Sequence, residues 1–253
     1  MRAGDWIDVS MPLFPGMPTF PGDPEFASAP CGRSPEGARF ALSRITLGSH
    51  AGTHLDPPSH FFPGGRSVDQ IPLDLLNGPC LVVEAGAGGE TVERSEVEPI
   101  PAGVTRVLFR TPNSARWADR LELFSDFTSL GLAAARLLCD RGVRLVALDA
   151  LSVDASSSSD YPVHRKLLSE GVVILEGLLL AEAPARPYDL ACLPLRVRGG
   201  DGAPARAAVR PIVPGQNRSA APGRRRGPNP ARPAGAGRGS RPRWDSRPGT
   251  LGT

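Results

Sequence analysis

The apolar residues of this chain come in runs too short for anything but strands. Cys80–Val83, Val107–Phe109, Leu145–Leu148 and Val172–Leu175 are β-branched or leucine-rich. Each is preceded by a glycine, at Gly78, Gly103, Gly142 and Gly171. Short runs with that punctuation predict buried strands rather than helices. Trp6–Val9 and the alternating stretch Arg39–Gly48 add two more strands, and the proline-rich Pro12–Pro24 reads as an ordered loop over the body. Helical patterns are fewer: Thr128–Arg141, stopped by Gly142; Asp160–Ser169, with Pro162 in its first turn; and a shorter Val68–Leu76. The expected fold is a single α/β domain with a mixed sheet, not a strictly doubly wound one.

This pattern ends at Ile212. Residues 214–253 hold seven prolines and eight glycines with almost no aliphatic side chain, too little apolar surface to offset the entropy of ordering. We therefore expect a folded domain over 1–213 and a disordered Arg/Pro/Gly-rich tail over 214–253. The tail's bias also matches out-of-frame translation of a GC-rich gene, which resequencing across codon 213 tests. It carries nine arginines against the single acid Asp245, a net of +8, so the formal +3 of the chain hides a body with 20 basic and 25 acidic residues, −5. A basic nucleic-acid-binding domain is thereby excluded as a reading of the whole protein. Asp5, Asp8 and the prolines after them interrupt any secretory signal, and no apolar run approaches the ~18–20 residues of a membrane span. The four scattered cysteines (Cys31, Cys80, Cys139, Cys192) include no Cys-x-x-Cys and read as reduced thiols, which makes the expected location cytoplasmic.

Only four histidines are present, and three lie within eleven residues, in His50-Ala-Gly-Thr-His54-Leu-Asp56-Pro-Pro-Ser-His60. Imidazole nitrogens and carboxylate oxygens around one aspartate are the donors that zinc and similar divalent ions take. Gly52 and Pro57-Pro58 argue against a helix, so a strand end or tight loop would project His54 and Asp56 to one side. Gly52 lets the backbone approach closely, and Thr53 is placed to orient a ligand. The fourth histidine, His164, precedes Glu176, a carboxylate inside an apolar run that is costly to bury unless paired or coordinating. On neighbouring elements, His164 and Glu176 would complete three imidazoles and two carboxylates, enough for two ions sharing a carboxylate.

The histidine segment resembles the His-x-Gly-Thr-His-x-Asp-x-Pro-x-His signature of the metal-dependent cyclase-like hydrolases, whose best-known members are bacterial kynurenine formamidases. Thr19-Phe20-Pro21-Gly22-Asp23, Leu148-Asp149-Ala-Leu-Ser-Val-Asp154, Ile174-Leu-Glu176-Gly-Leu178 and the stretch Tyr188–Pro211 extend the resemblance over about residues 5–212. It implies one metal on His50, His54 and Asp56, and a second on Asp56 and His164, with Glu176 contacting both. The ions would be zinc, with manganese as the alternative. His60 would be the proton donor and acceptor, and Phe20 would contact substrate where the family commonly has tryptophan. Ala155–Ser159 departs from the formamidase pattern. The implied fold is a mixed β/α arrangement of the swivelling β/β/α type, and the implied assembly a homodimer.

The expected reaction is hydrolysis of the formamide of N-formyl-L-kynurenine to L-kynurenine and formate, a step of tryptophan degradation, by a metal-dependent arylformamidase. His60 would protonate the leaving anilide nitrogen. Phe20, with Phe61 or Phe62, would pack the aryl ring. The rival within this chemistry is another amide, lactam or ester such as isatin, or a cyclase reaction. A different class of reading, phosphate binding by the basic tail, is weaker because Trp244 is its single aromatic. No membrane partner is expected.

Overall fold

A computed structural model describes residues 5–30, 41–122 and 124–212. The segment 214–253, expected to be disordered, and Cys31 lie outside the described residues, as do the first two residues of the strand expected at Arg39–Gly48. The strands are β1 Ile7–Asp8, β2 Ala27–Pro30, β3 Ser43–Thr46, β4 His54–Asp56, β5 Asn77–Glu84 and β6 Thr91–Val92. They continue as β7 Arg106–Arg110, β8 Ser129–Leu130, β9 Leu145–Leu148, β10 Val173–Glu176, β11 Arg186–Pro194 and β12 Ala203–Pro211. The helices are α1 Leu73–Leu76, α2 Arg94–Val97, α3 Asn113–Asp119, α4 Leu132–Asp140 and α5 Pro162–Ser169.

The four apolar runs do form neighbouring strands: β5, β7, β9 and β10 pair in parallel. Antiparallel pairings of β11 with β5 and with β12 extend the sheet. The three-residue β4 then pairs antiparallel with both β10 and β12. That double pairing closes the mixed sheet into a seven-stranded barrel, a closure the sequence pattern did not disclose. β1 adds to the far end of β12. The hairpin of β2 and β3 pairs with itself and is exposed.

The parallel strands are apolar on both faces because both faces are covered. Val82, Leu108, Ala147 and Leu175 pack inside the barrel with Leu55 and Leu190. Their neighbours Val107, Phe109, Val146, Leu148 and Ile174 pack outward against Leu137 and Leu138 of α4 and Leu167 and Leu168 of α5. Cys80 and Cys192 belong to the inner cluster, and Cys139 is half-buried beside the outer one.

Two helical expectations need correction. Thr128–Leu130 is not helical: Ser129 and Leu130 pair with β6, and Gly131 caps a helix that begins at Leu132. Val68–Leu76 splits into a 3-10 turn at Val68–Gln70 and the short α1, because Pro72 lacks the N–H that continuity needs. No helix of the described residues is long and apolar enough to cross a membrane.

Candidate metal centre

The closing strand carries the centre of the site. Alternation along β4 sends Leu55 into the barrel core and turns His54 and Asp56 to the other side. Glu176 stands directly opposite His54 in the β4–β10 register. The backbone approaches closely here. Gly52 adopts φ +63, and a Cβ on Gly177 (φ +67) would lie 2.3 Å from the Gly52 carbonyl oxygen. Thr53, expected to orient a ligand, bonds backbone rather than a ligand-type side chain. Its hydroxyl donates to the Gly177 carbonyl (2.5 Å) and accepts from the Met11 amide (2.8 Å), so it ties the N-terminal segment to the end of β10.

The other side of the site comes from the carboxyl ends of β9 and β10, where parallel α/β sheets place their ligands. The loop after β9 brings Asp154 to the start of α5. Its carboxylate accepts the amides of Val163 (3.0 Å) and His164 (2.9 Å) and the His164 ring Nδ1 (2.7 Å). A helix start and a side-chain orientation are thus fixed by one group.

The acceptors decide the ring roles. His54 Nδ1 donates to the Gly52 carbonyl at 2.9 Å, which leaves Nε2 facing Asp56 Oδ1 (3.4 Å) and Glu176 Oε2 (3.2 Å). His164 Nδ1 donates to Asp154, which leaves Nε2 facing Asp56 Oδ2 (3.5 Å) and Glu176 Oε1 (3.2 Å). Both imidazoles are anchored through one nitrogen and present the other to the same two carboxylates. His50 differs: Nδ1 donates to Asp56 Oδ1 at 2.8 Å, and Nε2 lies 3.3 Å from Asp201 Oδ2. Glu176 also accepts the Val153 amide through Oε1 at 2.6 Å.

All six polar residues expected at the site therefore meet in one cleft of about 270 Å³, which Phe20 also lines. Phe61 lines it too and stacks on His164 with ring centroids 5.1 Å apart, whereas Phe62 packs against the outer core. His60 lies over His50, centroids 4.1 Å apart, and neither of its ring nitrogens hydrogen-bonds to a described residue. Asp56, His60 and His164 place donor atoms within 4.8 Å of one another, as do His50, His54 and Asp56.

Asp56 and Glu176 are almost wholly buried. Burial alone would raise their carboxyl pKa values, but the facing histidines outweigh it, His54 and His50 for Asp56 and His164 for Glu176, so both are lowered. Burial acts to lower His50, yet Asp56 and Asp201 together raise its imidazolium to about 9. For His60 burial prevails and its pKa falls, with Asp56 opposing. Asp56 Oδ2 is buried and lacks a hydrogen-bond partner. Burial acts to lower the pKa values of His54 and His164, but Asp56 and Glu176 outweigh it and raise both, so without an ion these rings hold protons while Asp56 Oδ2 still lacks a hydrogen bond. A divalent cation would displace those protons and take Asp56 Oδ2 together with the two Nε2 atoms, so the donor set fits one.

Four lining residues went unassigned in the sequence, Asp23, Leu151, Ser152 and Tyr161, as did Asp154 behind His164 and Asp201 behind His50. Tyr161 was hidden by its backbone: it precedes a proline and is the only non-glycine among the described residues with positive φ, 49°. That conformation costs about 1–3 kcal/mol and clusters at functional sites.

A barrel closed by a strand of ligand-type residues makes this a candidate metal-site protein. Comparison with known proteins gives the class. The model of a family described as putative cyclase matches residues 7–155. The kynurenine formamidase of Salinibacter ruber is 38% identical over 183 residues, covering 70% of this chain and 84% of that protein. A solved potential metal-dependent hydrolase with cyclase activity superposes with a TM-score of 0.71 at 32% identity, covering 82% of this chain and 98% of that one. Isatin hydrolase A from Labrenzia aggregata, bound to benzyl benzoate, gives 0.70 at 26% identity over 81% and 93% of the two chains. The chain belongs to the cyclase family.

Proposed function

We propose that this protein is a metal-dependent hydrolase that cleaves the formamide of N-formyl-L-kynurenine to L-kynurenine and formate. One observation supports it above the rest: three imidazoles and two carboxylates, brought together from β4 and its approach, α5 and β10, face one another in a cleft with aromatic walls. Relatives named for this reaction add their weight. We read the cage as two positions, one on His50, His54 and Asp56, the other on Asp56 and His164, with Glu176 contacting both. Zinc is the preferred ion and manganese the alternative. A bound ion of this kind acidifies water and polarises a carbonyl.

The chain's own residues supply what remains. His60, neutral at pH 7 because burial lowers its pKa, takes a proton from the attacking water at a free ring nitrogen. It returns that proton to the anilide nitrogen as the C–N bond breaks, so the leaving group departs as a neutral amine. Phe20 and Phe61 hold the aryl ring between them, and Leu151 helps keep bulk water out. Asp154 and the Gly52 carbonyl keep His164 and His54 from turning away.

The test is hydrolysis of N-formyl-L-kynurenine beside isatin, with and without a chelator, for wild type and His60→Ala. We expect formamide cleavage, its loss with the metal, and a variant that keeps its metal while losing most turnover. Full activity in chelator sinks the metal reading. Unchanged turnover in His60→Ala removes His60 from the mechanism. Faster opening of isatin favours the lactam reading, which the isatin hydrolase likeness supports.

We also infer that the barrel is the family's swivelling β/β/α arrangement, that the hydrolase domain is 1–213 with 214–253 as an appendage, and that the enzyme works in the cytoplasm as a homodimer. The dimer has support in an apolar groove of about 470 Å³ beside the exposed hairpin, lined by Leu13, Ile45, Leu47, Leu193 and Leu195. Among these, Ile45, Leu193 and Leu195 are more than half exposed. Patches of this kind on soluble proteins mark contact with a partner.

A further inference from the structure

The cleft divides by chemistry. Its floor is the imidazole–carboxylate cage and its walls are Phe20, Phe61, Leu151 and Tyr161. One charged side chain belongs to neither: Asp23. The other enclosed carboxylates of this region are spoken for. Asp149 accepts from Thr111 and Ser114, and Asp154 holds the start of α5. The Asp23 carboxylate has no hydrogen-bond or ion-pair partner among the described residues, although the side chain is half-buried.

Its position is nonetheless fixed. The Asp23 amide donates to the Phe20 carbonyl at 3.0 Å, closing a tight turn through Pro21 and Gly22, whose φ of 98° only glycine adopts readily. Pro24 follows and packs so closely on the chain at Gly48 that a Cβ there would lie 3.2 Å from its ring. The turn presents Phe20 and Asp23 to the cleft together, an aromatic face and an anion held a short distance apart.

A ligand filling this cleft strips water from Asp23. That desolvation is unfavourable unless the ligand brings a cation. The imidazoles of the floor, and any ion they hold, already face Asp56, Glu176 and Asp201. We propose that Asp23 binds the ammonium of the substrate's amino-acid moiety and so selects aryl formamides that carry an α-amino acid over neutral aryl amides and lactams. This deepens the formamidase reading and rests on it. N-formyl-L-kynurenine carries such an ammonium on the side chain of its aryl ring. Isatin is neutral and gains nothing from this carboxylate.

The experiment compares two substrates on wild type and Asp23→Asn, an isosteric change that keeps the turn. One is N-formyl-L-kynurenine and the other is 2-formamidoacetophenone, the same aryl formamide without the amino-acid end. Metal content is measured on both proteins and is expected to match. A charge-assisted hydrogen bond lost from substrate binding raises KM for N-formyl-L-kynurenine about tenfold or more, with kcat nearly unchanged. Kinetics on 2-formamidoacetophenone should not move. Asp23→Asn behaving as wild type on both substrates, or losing equally on both, overturns the assignment alone. A wild-type protein that hydrolyses neither formamide overturns the formamidase reading, and this assignment with it.

Discussion

Asp154 anchors an imidazole and a helix with the same two oxygens, so its replacement separates two effects. Asp154→Ala frees two buried amides, costing about 1–3 kcal/mol of stability. It also frees the His164 ring, and removing the partner of a ligating histidine weakens metal binding about 10–100-fold. Competition with a chromophoric chelator, read beside urea denaturation of the metal-free protein, distinguishes the two; unchanged metal affinity would show that His164 needs no anchor. His50 makes a second prediction. In the metal-free protein its pKa is raised to about 9, above the unfolded value near ~6.5. Its contribution to stability is therefore complete below about pH 6.5 and is lost as pH rises through 9. Metal binding needs the neutral ring, so uptake in that window expels a proton, and affinity should climb by up to about tenfold per pH unit. Calorimetry in buffers of differing ionisation enthalpy counts the proton; a pH-independent affinity between 6.5 and 9 contradicts this account. The ligand-type residues were legible because imidazoles and carboxylates are rare in such spacing. Asp154 and Asp201 were not, since a carboxylate acting across 10 or 151 residues leaves no local pattern.

At the scale of elements, strands buried on both faces declared themselves as unbroken apolar runs, and all four were found. Leu145–Leu148 even kept its boundaries. The site's own strand could not be found that way. His54-Leu55-Asp56 has one apolar residue, and its partners β10 and β12 lie more than 110 residues away, so long-range pairing alone makes it a strand. The short helices misled for another reason: threonine and leucine at Thr128–Leu130 suit a helix start, but the amides of Thr128, Ser129 and Leu130 donate to Asn113 Oδ1, the Glu90 carbonyl and the Val153 carbonyl instead, beside the pairing with β6. The seam at β4 rests on two glycines. Gly177→Ala drives a Cβ into the Gly52 carbonyl and imposes a positive φ on alanine. We expect a loss of about 2 kcal/mol or more together with weakened metal binding, because the clash displaces His54 from Glu176. Denaturation and metal titration of this variant measure both, and a wild-type response in each would mean that the seam is soft.

For the molecule as a whole, the closed barrel ends with β12 at Pro211, and the extension beyond it reverses the net charge. A chain ending at residue 213 should keep kcat, KM and melting temperature while changing from cationic to anionic on ion-exchange columns. Sedimentation velocity on the same chain should give twice the monomer mass, and substitution of Ile45 and Leu195 by glutamate should halve it. Loss of activity on truncation would make the extension part of the enzyme.

The single threonine that stitches Met11 to Gly177 has a wider consequence. Everything that handles the ion sits on the barrel and the loops springing from it. Phe20 and Asp23 ride on a separate strip of chain, fastened near its start by the Thr53 hydroxyl and by the bonds of Val9 and Ser10 to Ala207, Leu178 and Leu179. The roles proposed for Phe20 and Asp23 put part of the choice of substrate on a different piece of polypeptide from the ion's ligands. Descendants of such a gene can exchange the strip, and with it their diet, without rebuilding the furnace beneath.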